Sequence, residues 1–233
     1  MLLQALSIAA AGGDALLRRL DAISANLANA GVVGARRQRM TADQVLERIL
    51  EPGPLASTSR DLDLAIEGEG FFRVLLPDDG AAFTRAGRLT RTGDGLLATS
   101  DGLPLDPPVR VPSFITTLTI DPDGFVRGFD PGSPGAPVPI GQIELSRFEN
   151  VPGLRSLGGG LFRATDAAGD RLDGRPGEGL GVIRQGYLEQ SDVDPMRELM
   201  DLFHTQRAFE LNNRVIEATD GILQSINTLR RRP

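Results

Sequence analysis

The chain has one histidine, His204, set between Phe203 and Thr205, so any Ser-His device would rest on that single imidazole. The absence of cysteine removes thiolate nucleophiles, thiolate metal sites and disulfides together. Asp78-Asp79-Gly80 and Asp121-Pro122-Asp123-Gly124 open like calcium loops, but no ligand series completes them, and both read as turns. Glu67 and Glu69 alternate like a glycosidase carboxylate pair, yet nothing nearby supplies an aromatic sugar platform. Gly68-Glu69-Gly70 lacks the following helix that a dinucleotide fingerprint requires. The residues point to no enzyme, no cofactor and no metal. His204 reads as a packed or interface residue.

The elements that would position any site fall into a simple order. Amphipathic segments run from about Leu2 to Ala30 and from Pro195 to about Arg230, and the stretch between them is rich in glycine and proline. At about 1.5 Å per residue the second segment is roughly 54 Å long, more than a small core can cover, so the helices are expected to face an assembly. With 5% aromatic residues and no tryptophan, the core is expected to be aliphatic. All 25 basic residues are arginine, which reads as a high-GC bacterial genome. The net charge of −6 offers no basic face for nucleic acid. Six arginines against four acids in residues 1–50, and seven against eight in 184–233, leave −7 on the middle. No apolar run approaches the ~20 residues of a membrane span. The opening MLLQALSIAAAGG lacks a basic leader and continues the helical period, so it reads as mature helix rather than a cleaved signal.

In the first helix Leu6, Ala9, Ala10, Leu16, Leu17, Leu20, Ile23 and Leu27 form a stripe, with Ala9–Gly13 small enough for close backbone approach. Asn26 and Asn29 suit a seam in which amides meet partners on a neighbouring helix. In the last helix Asp194 can cap, Pro195 fits the first helical position, and Leu202, Phe209, Ile216 and Leu223 recur every seven residues. Gly221 weakens that helix by up to ~1 kcal/mol relative to alanine. Between the helices, Leu62, Leu64 and Ile66 alternate as a half-buried strand, and Gly68 and Gly70 permit a reversal before Phe71 and Phe72. Asp-Gly pairs at 79–80, 94–95, 101–102 and 123–124 separate further short strands around 72–76, 82–85, 96–99, 117–120 and 140–148.

Three passages carry a resemblance. Asn26, Leu27, Ala28, Asn29, Gly34 and Arg36 resemble the N-terminal signature of the bacterial flagellar rod and hook family, with Val33 and Ala35 departing from its usual Thr and Phe. Asp63–Phe72, with Gly68, Gly70, Phe71 and Phe72, followed by Thr84–Gly87, is similar to that family's D-L-A-I-x-G-x-G-F-F and T-R-x-G segments. Gln185, Gly186, Leu188, Glu189, Ser191 and Val193 match its Q-G-x-L-E-x-S-N-V, with Asp192 for Asn, and Gln206–Glu210 with Asn212 matches its helical motif. Ile140–Phe162 is most similar to the distal-rod branch.

The resemblance implies a structural subunit of the flagellar basal-body rod that polymerises into a hollow helical drive shaft transmitting torque. The alternatives are a proximal rod or other rod-like paralogue, or a secreted oligomeric β-domain binding module. Implied partners are further copies of the chain, other rod proteins and the hook protein, the surrounding rings, and the flagellar type III export apparatus. The implied location is the basal body, across the periplasm, after export without a cleaved signal. The expected fold is α+β, with long terminal helices packed as a coiled-coil-like pair around a central all-β domain of short strands. The expected division is an N-terminal arm (1–37), a short connector (38–61), the β domain (62–183) and a C-terminal arm (184–233). The expected assembly interface comprises Leu20, Ile23, Asn26, Leu27, Asn29, Leu202, Phe209, Asn212, Ile216 and Leu223. Distal-rod proteins usually have a longer connector, so a more bendable rod is expected here.

Overall fold

A computed structural model describes residues 2–35, 37–40, 46–48, 53–132 and 136–230. Helix α1 (Leu2–Asn29) is followed by β1 (Gln38–Met40), β2 (Leu46–Arg48), β3 (Leu55–Ser57), β4 (Leu64–Glu67), β5 (Phe71–Leu75) and β6 (Ala81–Thr84). Then come β7 (Leu89–Arg91), β8 (Leu97–Thr99), β9 (Thr117–Ile120), β10 (Phe125–Phe129), β11 (Val138–Gln142) and β12 (Leu145–Phe148). The chain closes with β13 (Arg155–Gly158), β14 (Leu161–Arg163), β15 (Arg171–Gly174), β16 (Val182–Gln185), β17 (Tyr187–Glu189) and helix α2 (Pro195–Arg230). These elements form two compact units. The smaller comprises residues 1–28, 38–49 and 193–233, and the larger comprises 29–37 and 50–192.

The larger unit is built on a six-stranded antiparallel sheet in the order β13-β14-β6-β5-β12-β15. Adjacent residues of β5 point to opposite faces, so Phe71 and Phe72 serve different cores. Phe72 joins Leu64, Ile66, Val74, Leu89, Leu97, Val126 and Leu145 in the main cluster, which is aliphatic apart from this ring. Phe71 joins Phe83, Phe148 and Phe162 in a second cluster. There the rings meet edge to face, with centroids 4.7 Å apart for Phe83–Phe148 and 6.0 Å for Phe71–Phe162. Composition alone suggested an aliphatic interior, yet four of the ten phenylalanines are concentrated on one face of one sheet. The reversals rest on positive-φ glycines such as Gly68 (φ 112) and Gly70 (φ 131), which carry the chain from β4 into β5.

In the smaller unit, Asp194 caps α2 as its sequence suggests. Its Oδ1 accepts N–H bonds from Met196 at 3.0 Å and Arg197 at 3.3 Å, and Pro195 takes the first helical position. The helices run antiparallel. Asn26 Nδ2 donates to Glu198 Oε2 at 3.1 Å, and seventeen residues back along α1 Asn212 Nδ2 donates to the Ala9 carbonyl at 2.9 Å. The hydroxyls of Thr205 and Thr219 bond back to the carbonyls of Asp201 and Val215. Arg19 and Asp201 lie 3.9 Å apart at the edge, where an exposed pair contributes little.

The expected coiled-coil-like pairing is corrected by this geometry, although the α+β composition agrees. The helices, 28 and 36 residues long, fall short of a long coiled coil. A heptad seam requires apolar knobs, whereas among the described side chains of α2 the buried positions are Glu198, Thr205 and Thr219, with half-buried Asn212 completing the seven-residue spacing. Opposite them stand buried Ala9, Ala22, Ile23 and Asn26, with Gly12 and Gly13 beside Asn212. The contact is one of close approach and hydrogen bonding, through small and polar side chains. Among the described residues no helix is long and apolar enough to cross a membrane.

Candidate functional site

Within the larger unit, residues from four separate motif segments meet at one buried point. Arg85, from the T-R-x-G segment, directs its Nε to Glu189 Oε2 at 2.8 Å, and the two side chains are 3% and 0% exposed. The Arg85 Nη1 donates to the carbonyls of Gly68 at 2.8 Å and Gly70 at 2.6 Å, and Nη2 donates to Gly68 at 2.9 Å. The second oxygen of Glu189, Oε1, accepts the N–H of Gly53 at 2.9 Å, and its backbone carbonyl accepts the N–H of Gly34 at 2.9 Å. Planar guanidinium donors suit this job, since one side chain serves a carboxylate and two carbonyls from fixed positions.

The glycines at this point are sterically required. Gly34 has φ 69, and a Cβ there would lie 2.6 Å from the Arg85 carbonyl carbon. A Cβ at Gly53 would press into the Gln190 carbonyl oxygen. Neighbouring motif residues extend the knot. Gly186 donates its N–H to the Asp63 carbonyl at 2.8 Å, and Leu188 is buried in the β17–β3 pair opposite Ala56. Gln185 lies in β16 opposite Leu64, and its amide donates to the carbonyls of Asp61 and Leu118 while its oxygen accepts from Ile120 N. Asp192 Oδ1 accepts the Arg37 N–H at 2.7 Å.

Sequence reasoning marked Gly34, Gly68, Gly70, Gln185, Gly186 and Glu189 as motif residues without placing them together. It passed over Arg85, although a charged residue directly after the apolar run Ala81–Thr84 was a signal. Phe71 and Phe72 divide between the two cores, and Ser191 is half-buried. Arg36 lies outside the described residues.

The expected interface residues have a different fate in the smaller unit. Ile23 and Asn26 are buried, while Leu20, Leu27, Leu202, Phe209, Asn212 and Ile216 are half-buried; Asn29, which begins the larger unit, is half-buried as well. The side chain of Leu223 lies outside the described residues. Among the described side chains of α2 the exposed large apolar residues are others: Met196, Met200, Phe203, Leu211, Val215 and Ile222, each more than half exposed. Steps of three, four, seven or eight residues put them in one stripe, away from Glu198 and Thr205 and bordered towards its C-terminal end by Asn212 and Thr219. His204, expected to be packed or at an interface, is exposed within the single chain.

Comparison with known proteins gives this arrangement its context. The family described as flagellar hook protein FlgE/F/G D1 domain matches residues 65–128, and that described as flagellar basal body rod FlgEFG protein C-terminal matches residues 184–229. The flagellar basal-body rod protein FlgG of Buchnera aphidicola is 34% identical over 98% of this chain and 100% of its own length. FlgG of Caulobacter vibrioides is 35% identical with the same coverage, whereas FlgF of that organism is 29% identical over 90% of this chain and 91% of its own. Among solved structures, the hook protein FlgE2 of Helicobacter pylori is 17% identical, covering 50% of this chain and 32% of its own, with a TM-score of 0.29. The chain spans the rod proteins end to end and is nearer the distal-rod type than its sister, so it belongs to the flagellar basal-body rod protein family, on the distal-rod branch.

Proposed function

We propose that copies of this chain polymerise into the hollow helical shaft of the rod and transmit torque through many repeated contacts. It acts as a structural element rather than a catalyst. Its partners are further copies of itself, other rod proteins and the hook protein, with the basal-body rings outside. It reaches the periplasm through the flagellar type III export apparatus. A heterologous contact that does not close produces such a filament from one kind of subunit.

The observation that carries this reading is the exposed stripe Met196, Met200, Phe203, Leu211, Val215 and Ile222 on α2. A helix that turns its polar face to its own partner and its apolar face to solvent gains from a second subunit what it lacks alone. At about 25 cal/mol per Å² of apolar surface removed from water, covering such a face supplies a substantial association energy. Leu202, Phe209 and Ile216 stand four residues after Glu198, Thr205 and Asn212 and so flank the contact with α1 rather than this stripe.

Phe203→Asp tests it. The side chain is 66% exposed in the single chain, so the purified subunit should keep its melting temperature. In the polymer the carboxylate would be buried without a partner, at a cost of several kcal/mol. Cells carrying only this variant should be non-motile, and their basal bodies should lack the rod segment that this protein builds. Normal swimming with complete rods would rule the stripe out as the polymer contact.

A further inference from the structure

We propose that Arg85 and Glu189 form a clasp that makes one junction of the chain leaving α1 and the chain approaching α2, and that rod assembly depends on its closure. The proposal rests on the rod-subunit reading and adds a requirement to it. Glu189 holds Gly34 through its backbone and Gly53 through its side chain, while Arg85 ties Glu189 to the reversal at Gly68 and Gly70. Segments 136 and 155 residues away along the chain are thereby fixed on one residue.

Stability alone does not account for such a device. Replacing a buried ion pair by apolar side chains of similar volume is often neutral or stabilising, so a fully satisfied pair is weak evidence of a stability role. What a charged pair supplies and an apolar pair does not is a fixed register, because its hydrogen bonds are met in one arrangement only. Here that register concerns the segments around Gly34, Gly53 and Glu189, which meet at one point of the larger unit. An apolar pair would keep the space filled and let these segments slip past one another. In a polymer whose contacts repeat at every subunit, a small slip is repeated as well.

The test is the full-length double variant Arg85→Met with Glu189→Met, alongside a strain carrying the wild-type copy. The variant should stay folded at growth temperature but melt several degrees below the wild type, because the Gly53 N–H and the Gly68 and Gly70 carbonyls lose their side-chain partners. Its Gly53 amide should lose about tenfold or more of its hydrogen-exchange protection, because its acceptor is gone, while amides of the β4–β16 pair keep theirs. Rod assembly and swimming should be lost. Assembly and swimming at wild-type level in the folded variant overturn the clasp. If the double variant fails to fold, Glu189→Gln decides, since it keeps the volume but cannot serve both Gly53 and Arg85 as acceptor. Reduced swimming at a near-normal melting temperature supports the clasp. Wild-type swimming, or swimming lost only in step with melting temperature, overturns it. Failure of the wild-type copy to restore rods would instead count against the rod reading itself.

Discussion

At the scale of single residues, the motif glycines and their neighbours differ in what they can tolerate. Gly87 closes the T-R-x-G segment, and its carbonyl accepts the Leu64 N–H at 2.8 Å. A Cβ at Gly87 would sit almost on the Leu64 carbonyl oxygen, so backbone would have to move. Gly87→Ala should therefore cost about 3 kcal/mol, in the upper range for overpacking, and lower the melting temperature by about 10 °C. Gly93 has open space around it and no left-handed conformation. Gly93→Ala should stay within about 0.5 kcal/mol of the wild type by thermal melting. Equal behaviour of the two variants would mean that the close approach at Gly87 relaxes without cost. The Asp63 side chain is buried with its Oδ1 3.8 Å from Arg60 Nε, a looser contact than that of Arg85 with Glu189.

At the scale of elements, both helices were legible from periodicity, caps and length, and the cap at Asp194 could be named to the residue. Many of the short strands were legible too, because Asp-Gly turns mark their ends. The helix–helix contact was not. Leu202, Phe209 and Ile216 recur every seven residues and drew attention, whereas the polar residues at 198, 205, 212 and 219 follow the same period, and Glu198 and Asn212 among them carry the hydrogen bonds between the helices. Periodicity reports that a face exists but not which face a partner takes, and here small and polar residues allow the closer approach. The clasp escaped for a related reason: a residue and its partner 104 positions later share no local pattern. Two glycines test the helix contact. Gly13 would place a Cβ 3.2 Å from Asn212 Nδ2, so Gly13→Val should force the helices apart and cost about 1–3 kcal/mol. A Cβ added at Gly221 would meet nothing within 4 Å, so Gly221→Ala should strengthen α2 by up to ~1 kcal/mol. Circular dichroism melting of helical signal should separate the pair, and a harmless Gly13→Val would mean the Asn212–Ala9 contact is dispensable.

At the scale of the whole molecule, the relatives are matched along their full length, yet the alignments run to 261 and 262 residues against 233 here. The relatives thus carry segments that this chain lacks, and the sequence places a short connector at residues 38–61. What is described of that connector is paired: β1 with β2, β3 with β17, and Gly53 with Glu189. Such local pairing holds the connector to its own chain and leaves fewer residues to bridge successive subunits. If bridging by a longer connector stiffens a rod, a polymer of this chain should bend more readily than those of its relatives. Grafting the corresponding longer segment from a distal-rod relative, between residues 40 and 46, should straighten isolated rods in electron micrographs. The melting temperature of the larger unit should stay unchanged, because β3, β17 and the clasp lie outside the grafted stretch. Native rods that are already as straight as the grafted ones would show that stiffness comes from other contacts, with the exposed face of α2 the next place to look.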